Sequence, residues 1–179
     1  RDPTLPVAQA DRLFVGAGTS GLRAFNILSG TISSQYTLTL PNAPFDVEDL
    51  SRDGMRLFLA ANYGGMRVVD ITDLGSMSQL ATSGSTLGRA HGVAAAPTGY
   101  AYLAGEQGGL LVYQILTGPP VSMTWRNTLL TTGTAYEAAG TDRFVYVADF
   151  SYGLDIVDLL APGGPTLVSS PFLFSFQGT

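Results

Sequence analysis

The stretch RLFLAANYGGMRVVDITD, residues 56–73, decides the fold. Two short apolar runs, rich in Leu, Val and Phe, flank a Tyr-Gly-Gly turn. Runs of that length bounded by turn residues are strands rather than helices, and their continuous apolar character marks burial on both faces. Glycine at the turn supplies the positive φ of a tight hairpin without a Cβ clash.

The same pattern recurs in both directions. Gly21-Leu22, Gly65-Met66, Gly109-Leu110 and Gly153-Leu154 stand 44 residues apart. Before the glycine, RLFVGAG (12–18), RLFLAAN (56–62), YAYLAGE (100–106) and FVYVADF (144–150) align without gaps; after it, LRAFNI (22–27), MRVVDI (66–71), LLVYQI (110–115) and LDIVDL (154–159) do the same. A fixed period of this length is the mark of a repeat architecture. Each hairpin is preceded by a small, half-apolar segment, LPVAQA (5–10), FDVEDLS (45–51), HGVAAAP (91–97) and AYEAAGT (135–141). A more polar segment follows each, at about 34–40, 77–82, 122–130 and 165–170. Four strands per repeat predict an all-β fold, a β-propeller built from four 44-residue, four-stranded blades at 5–40, 45–82, 91–130 and 135–170. The domain is expected over 1–170, with 171–179 a C-terminal tail or extra strand. A parallel β-helix is the competing repeat fold, but its coils run on shorter periods without four turns per repeat. Four blades fit either a closed four-bladed disc or part of a larger propeller. Unclosed blade faces call for a partner protein, a second copy or further blades, because exposed apolar sheet faces aggregate.

The segment RFVYVADFSYGLDIVDLLAPGGPTLVSS (143–170) resembles the LVIVD repeat, a bacterial and archaeal β-propeller unit. The likeness extends to FLAANYGGMRVVDITD (58–73) and, more loosely, to 14–29 and 102–117. The signature Asp after the third strand is kept at Asp70 and Asp158 and replaced at Asn26 and Gln114. A side-chain acceptor capping a turn explains that position without any chemistry. The resemblance implies a propeller, commonly of more than four blades, that is exported or surface-associated.

Composition narrows the classes. Of 179 residues, nine are basic, all Arg, against fourteen acidic, for a net charge of −5, so no positive field draws in nucleic acid. With no cysteine there is no disulfide framework, thiolate metal site or thiol nucleophile. No apolar run approaches the length of a membrane span. A first residue of Arg points to a removed leader or an excised fragment, and hence to an extracytoplasmic protein: periplasmic, cell-surface or secreted, with peripheral attachment to a membrane complex open.

Candidate chemistry sits where inner-strand ends converge on the axis, at Phe45-Asp46, His91-Gly92 and Tyr136-Glu137. Asp46, His91 and Glu137 together suit a divalent cation, the one cofactor the chain suggests. A strict 44-residue register instead sets His91 against Val47 and Ala135. No nucleophile–base pair is legible, so no catalytic residue is assigned. GAGTSG (16–21) leads from strand to strand and is not a dinucleotide fingerprint. The tip aromatics Tyr63, Phe150 and Tyr152 are the candidate binding residues, since exposed aromatics anchor partners. Arg23 and Arg67 hold equivalent third-strand places. The leading expectation is a non-catalytic extracytoplasmic propeller that acts as a protein-binding or docking subunit, its partner a protein or a second copy. The alternatives are a metal-dependent hydrolase or lactonase-like enzyme on the axial residues, and a glycan-binding module.

Overall fold

In the computed structural model, residues 11–39, 46–84, 88–96, 99–141, 143–150, 152–161 and 165–169 are described. The four repeats form four antiparallel sheets, each a meander in which every strand pairs with its neighbours in sequence. The first holds β1 (Asp11–Gly16), β2 (Leu22–Leu28) and β3 (Thr31–Leu38). The second holds β4 (Asp49–Asp53), β5 (Arg56–Ala60), β6 (Met66–Asp70) and β7 (Ser78–Thr82). The third runs β8 (Gly92–Ala96), β9 (Tyr100–Ala104), β10 (Leu110–Leu116) and β11 (Ser122–Leu129). The fourth runs β12 (Ala135–Gly140), β13 (Phe144–Asp149), β14 (Gly153–Asp158) and β15 (Thr166–Ser169). The expected first inner strand at 5–10 and the tail at 171–179 lie outside the described residues. A single 3-10 turn, Leu74–Ser76, links β6 to β7, capped by Asp73, which accepts the Gly75 N–H at 2.9 Å.

These sheets are propeller-like blades because the second and third strands of the two middle ones are buried on both sides. One apolar cluster fills each junction: Leu22, Ala24, Leu57, Leu59 and Val69 between the first and second blades; Phe58, Met66, Val68, Leu103 and Leu111 between the second and third; Tyr102, Leu110, Val112, Val145 and Val147 between the third and fourth. Each such side chain contributes about 1.5–3 kcal/mol on burial. Near the axis the inner strands β4, β8 and β12 lie side by side. There the Val93 N–H donates to Asp49 at 2.8 Å and the Ala95 N–H to Ser51 Oγ at 3.0 Å, tying the second blade to the third.

The arc does not close: among the described residues, no packing of this extent joins the fourth blade to the first. Strand β13 shows the consequence, for its residues alternate between buried and open where β5 and β9 are buried almost throughout.

Cross-blade bridges reset the repeat alignment at the axis. Gly18 bridges Val47, Asn62 bridges Ala90, and Glu106 bridges Ala135. Val47, Ala90 and Ala135 are therefore equivalent, spaced by 43 and then 45 residues, and a bulge between Ala135 and Glu137 belongs to the longer interval. Glu48, His91 and Tyr136 thus share one place, and Asp49, Gly92 and Glu137 the next. The Phe45-Asp46 pairing expected from motif alignment falls three residues early, because small inner-strand residues carry no anchor for the register.

The signature position divides into two roles. Asp70 accepts the Thr72 N–H at 2.8 Å and Asp158 the Leu160 N–H at 2.9 Å, each capping its turn. Asn26 donates to Ser34 Oγ at 3.1 Å, and Gln114 accepts from Arg126 Nε at 2.9 Å, so these two secure the outer strand instead.

Candidate functional site

Hairpin tips and inner-strand starts meet on one face of the arc. The second residue after β1, β5 and β9 adopts a left-handed conformation, at Gly18, Asn62 and Glu106, with φ of 55°, 47° and 42°. Glycine and asparagine accept this readily; for glutamate it is strained. From there Asn62 Nδ2 donates to Glu48 at 3.1 Å, while Glu106 pairs with His91 Nε2 at 3.1 Å. In the fourth blade the equivalent residues are Phe150 and Tyr136, whose rings lie 6.2 Å apart. One structural contact is therefore made three times, by amide and carboxylate, imidazole and carboxylate, and two aromatic rings.

Links between blades join these contacts into a continuous face. His91 stacks on Tyr136, centroids 4.3 Å apart and planes within 17°. Glu106 also accepts the Arg89 N–H at 3.2 Å, and Arg89 Nε donates to the Tyr63 hydroxyl at 3.0 Å. The hydrogen bond from His91, with Arg89 adding to it, holds the Glu106 carboxyl below the usual glutamate range. Beside His91, the Glu137 carboxyl lies close to that of Asp49. Burial, and then the neighbouring Asp49, push Glu137 above its ordinary range. Gly92 is required for the close packing of β8 on β12: a Cβ there would lie 2.6 Å from Glu137 Cα and 2.7 Å from the Ala138 nitrogen.

Of the three residues proposed to hold a cation, the structure brings His91 and Glu137 to this face and leaves Asp46 beside Gly18 of the first blade. Among the described residues, no three His, Asp or Glu side chains are grouped as a metal centre. The binding candidates lie on the face or its margin, with Phe150 80% exposed, Tyr63 57% and Tyr152 40%. Sequence reasoning missed Glu106, Tyr136 as an exposed ring, and Arg89; a carboxylate pair from Asp46, Asp49 and Glu137 was legible but reads equally as coincidence among acidic residues of three blades. The available signal was positions 62, 106 and 150, where residue type changes from Asn to Glu to Phe inside an otherwise constant apolar frame.

On the opposite margin, Arg23 is exposed, whereas Arg67 is buried and donates to Gln79 at 2.8 Å. Two further repeats turn this position into Leu111 and Asp155. Asp155 is fully buried, and neither carboxylate oxygen has a hydrogen-bond partner. Nearby Asp149 accepts the Gly133 N–H at 2.6 Å.

Comparison with known proteins adds the following. No curated protein sequence matches the chain. In solved structures the fold is similar to the computationally designed Ika8 protein (15% identity, 81% of this chain and 42% of that one, TM-score 0.62) and the designed Ika4 protein (14%, 80% and 82%, 0.61). It is also similar to U3-55K (13%, 87% and 47%, 0.68). The chain thus spans less than half the length of Ika8 and of U3-55K. Residues 133–171, which contain all four strands of the fourth blade, match the LVIVD repeat family. The fourth blade is accordingly similar to an LVIVD repeat, set in a β-propeller-like fold that is consistent with the LVIVD-repeat β-propeller family.

Proposed function

We propose that this protein is a non-catalytic docking subunit that binds a protein partner through the face formed by Tyr63, Arg89, His91, Glu106, Tyr136 and Phe150. The observation that carries this reading is the row of open rings, led by Phe150 at 80% exposure, anchored on a fixed polar frame. Large rings held in place bury area at little entropic cost, which is why they dominate binding hot spots. Carboxylates at Glu48, Asp49, Glu106 and Glu137 surround the rings, so the partner segment that fits is cationic. The absence of Lys and the low charge density of the whole chain suit a protein that works inside an assembly. Its location is extracytoplasmic, in keeping with the family that its fourth repeat matches.

The test is affinity capture from native extract with the wild-type chain and with Phe150→Ser plus Tyr63→Ser. A partner retained by the wild type and lost from the variant, more weakly held at raised salt, is the expected result. Equal capture by both chains removes the face from the reading. A second reading, a metal-dependent hydrolase on the axial residues, is favoured only by the contact of Asp49 with Glu137 near His91. Metal analysis of the native protein separates the two: stoichiometric cation lost in Asp49→Asn supports the hydrolase. Retention on a glycan array, abolished by the same double serine variant, supports the glycan-binding alternative.

A further inference from the structure

The two ends of the arc carry the two halves of a junction that the chain uses three times internally. On the fourth blade, the side facing away from the third presents Tyr146, Ala148, Leu154 and Ile156. Their equivalents in the third blade are Tyr102, Ala104, Leu110 and Val112, all in the cluster that packs on the fourth. Tyr102 is 1% exposed and Tyr146 is 37% exposed. On the first blade, the side facing away from the second presents Leu13, Val15, Arg23 and Phe25. Their equivalents are Leu57, Leu59, Arg67 and Val69, of which the three apolar ones pack on the first blade. Leu57 is 2% exposed and Leu13 is 42% exposed.

We infer that the open side of the fourth blade docks on the open side of the first blade of a second copy of this chain. The occupant follows from continuity with the established junctions: each open side repeats, residue for residue, a surface whose partner is a blade of this same sequence. Among the described residues the two sides do not pack on each other within one chain. Two copies joined head to tail make two identical contacts and close eight blades into a ring, a symmetric heterologous assembly. This surface is separate from the aromatic face and stands whether or not that face binds a partner.

Native mass spectrometry and light scattering of the chain, 18.8 kDa, test it. The wild type is expected at twice that mass. Tyr146→Arg and Leu13→Arg, on opposite ends, are each expected at the single-chain mass, with circular dichroism spectra unchanged because both sites are open in one chain. An equal mixture of the two variants is expected to recover a two-chain species, since each supplies the intact half that the other lacks. A wild type that stays at 18.8 kDa at high concentration overturns the inference. So does a dimer that survives both substitutions, or an open-ended assembly in place of a closed pair. The loss of partner capture by the serine variant reads the other surface, so the two outcomes are distinguishable.

Discussion

Replacing Asp155 by leucine is expected to stabilise the protein. Asp155 lies on the side of β14 that faces the third blade, fully buried, opposite Val147 and two residues before Val157, with both oxygens unpartnered. An unsatisfied buried acceptor costs about 1–3 kcal/mol, more when it is ionised. The third blade shows that leucine fits, for Leu111 holds the same place and packs in the junction before it. The gain from burying leucine, about 1.5–3 kcal/mol, is offset by about 1–3 kcal/mol if the site must shift to admit the branched end. The net expectation is a gain of about 2 kcal/mol, which for a chain of this length raises Tm by about 4–8 °C. Urea and thermal unfolding followed by circular dichroism at neutral pH measure it. Asp155→Asn, which keeps the shape and leaves a polar group unpartnered, serves as the control and gains less. A leucine variant less stable than the asparagine variant refutes the reasoning, for it means that the carboxylate is held by a partner.

Three other outcomes follow from the same structure. Gly92→Ala should lose about 1–3 kcal/mol, because its Cβ meets the backbone of Glu137 and Ala138, while Gly118→Ala, with nothing within 4 Å, stays within about 0.5 kcal/mol of wild type in the same unfolding assay. Glu137 has a raised pKa, so its folded form binds the proton more tightly and stability falls as pH rises above the ordinary 4.5; Glu137→Gln should raise Tm at pH 7 and lose that advantage below pH 4.5. Glu106 has a lowered pKa, so its contribution is present above 4.5 and lost as pH falls through the folded value. Glu106→Gln should therefore cost about 0.2–1 kcal/mol at pH 7 and nothing in strong acid, read as a pH series of Tm.

The strands were legible because their signals are local. A glycine at every hairpin and apolar residues on both sides fix β5 with β6, β9 with β10 and β13 with β14, and the same 44-residue step carries through all four repeats. The inner strands were not legible to the residue. Ala94, Ala95 and Ala96 or Ala138 and Ala139 give no contrast from which to read register, and a slip of one residue turns each side chain to the other face. A misplacement of three residues separates Asp46, assigned to the axis by motif, from Asp49, which holds the corresponding place. The openness of the arc was left undecided by the residues alone, because Tyr146 and Leu13 read as core by every local measure. Only the lack of a neighbouring sheet distinguishes them from Tyr102 and Leu57.

The slide of the inner strand by one residue, out at Ala90 and back at Ala135, separates two kinds of inheritance in the chain. A length change at the foot of a blade leaves its hairpin in register and turns a new pair of side chains toward the axis. The scaffold can thus be copied conservatively while each copy's recognition residues diverge. Glu48 with Asn62, His91 with Glu106 and Tyr136 with Phe150 are three products of that freedom on one template.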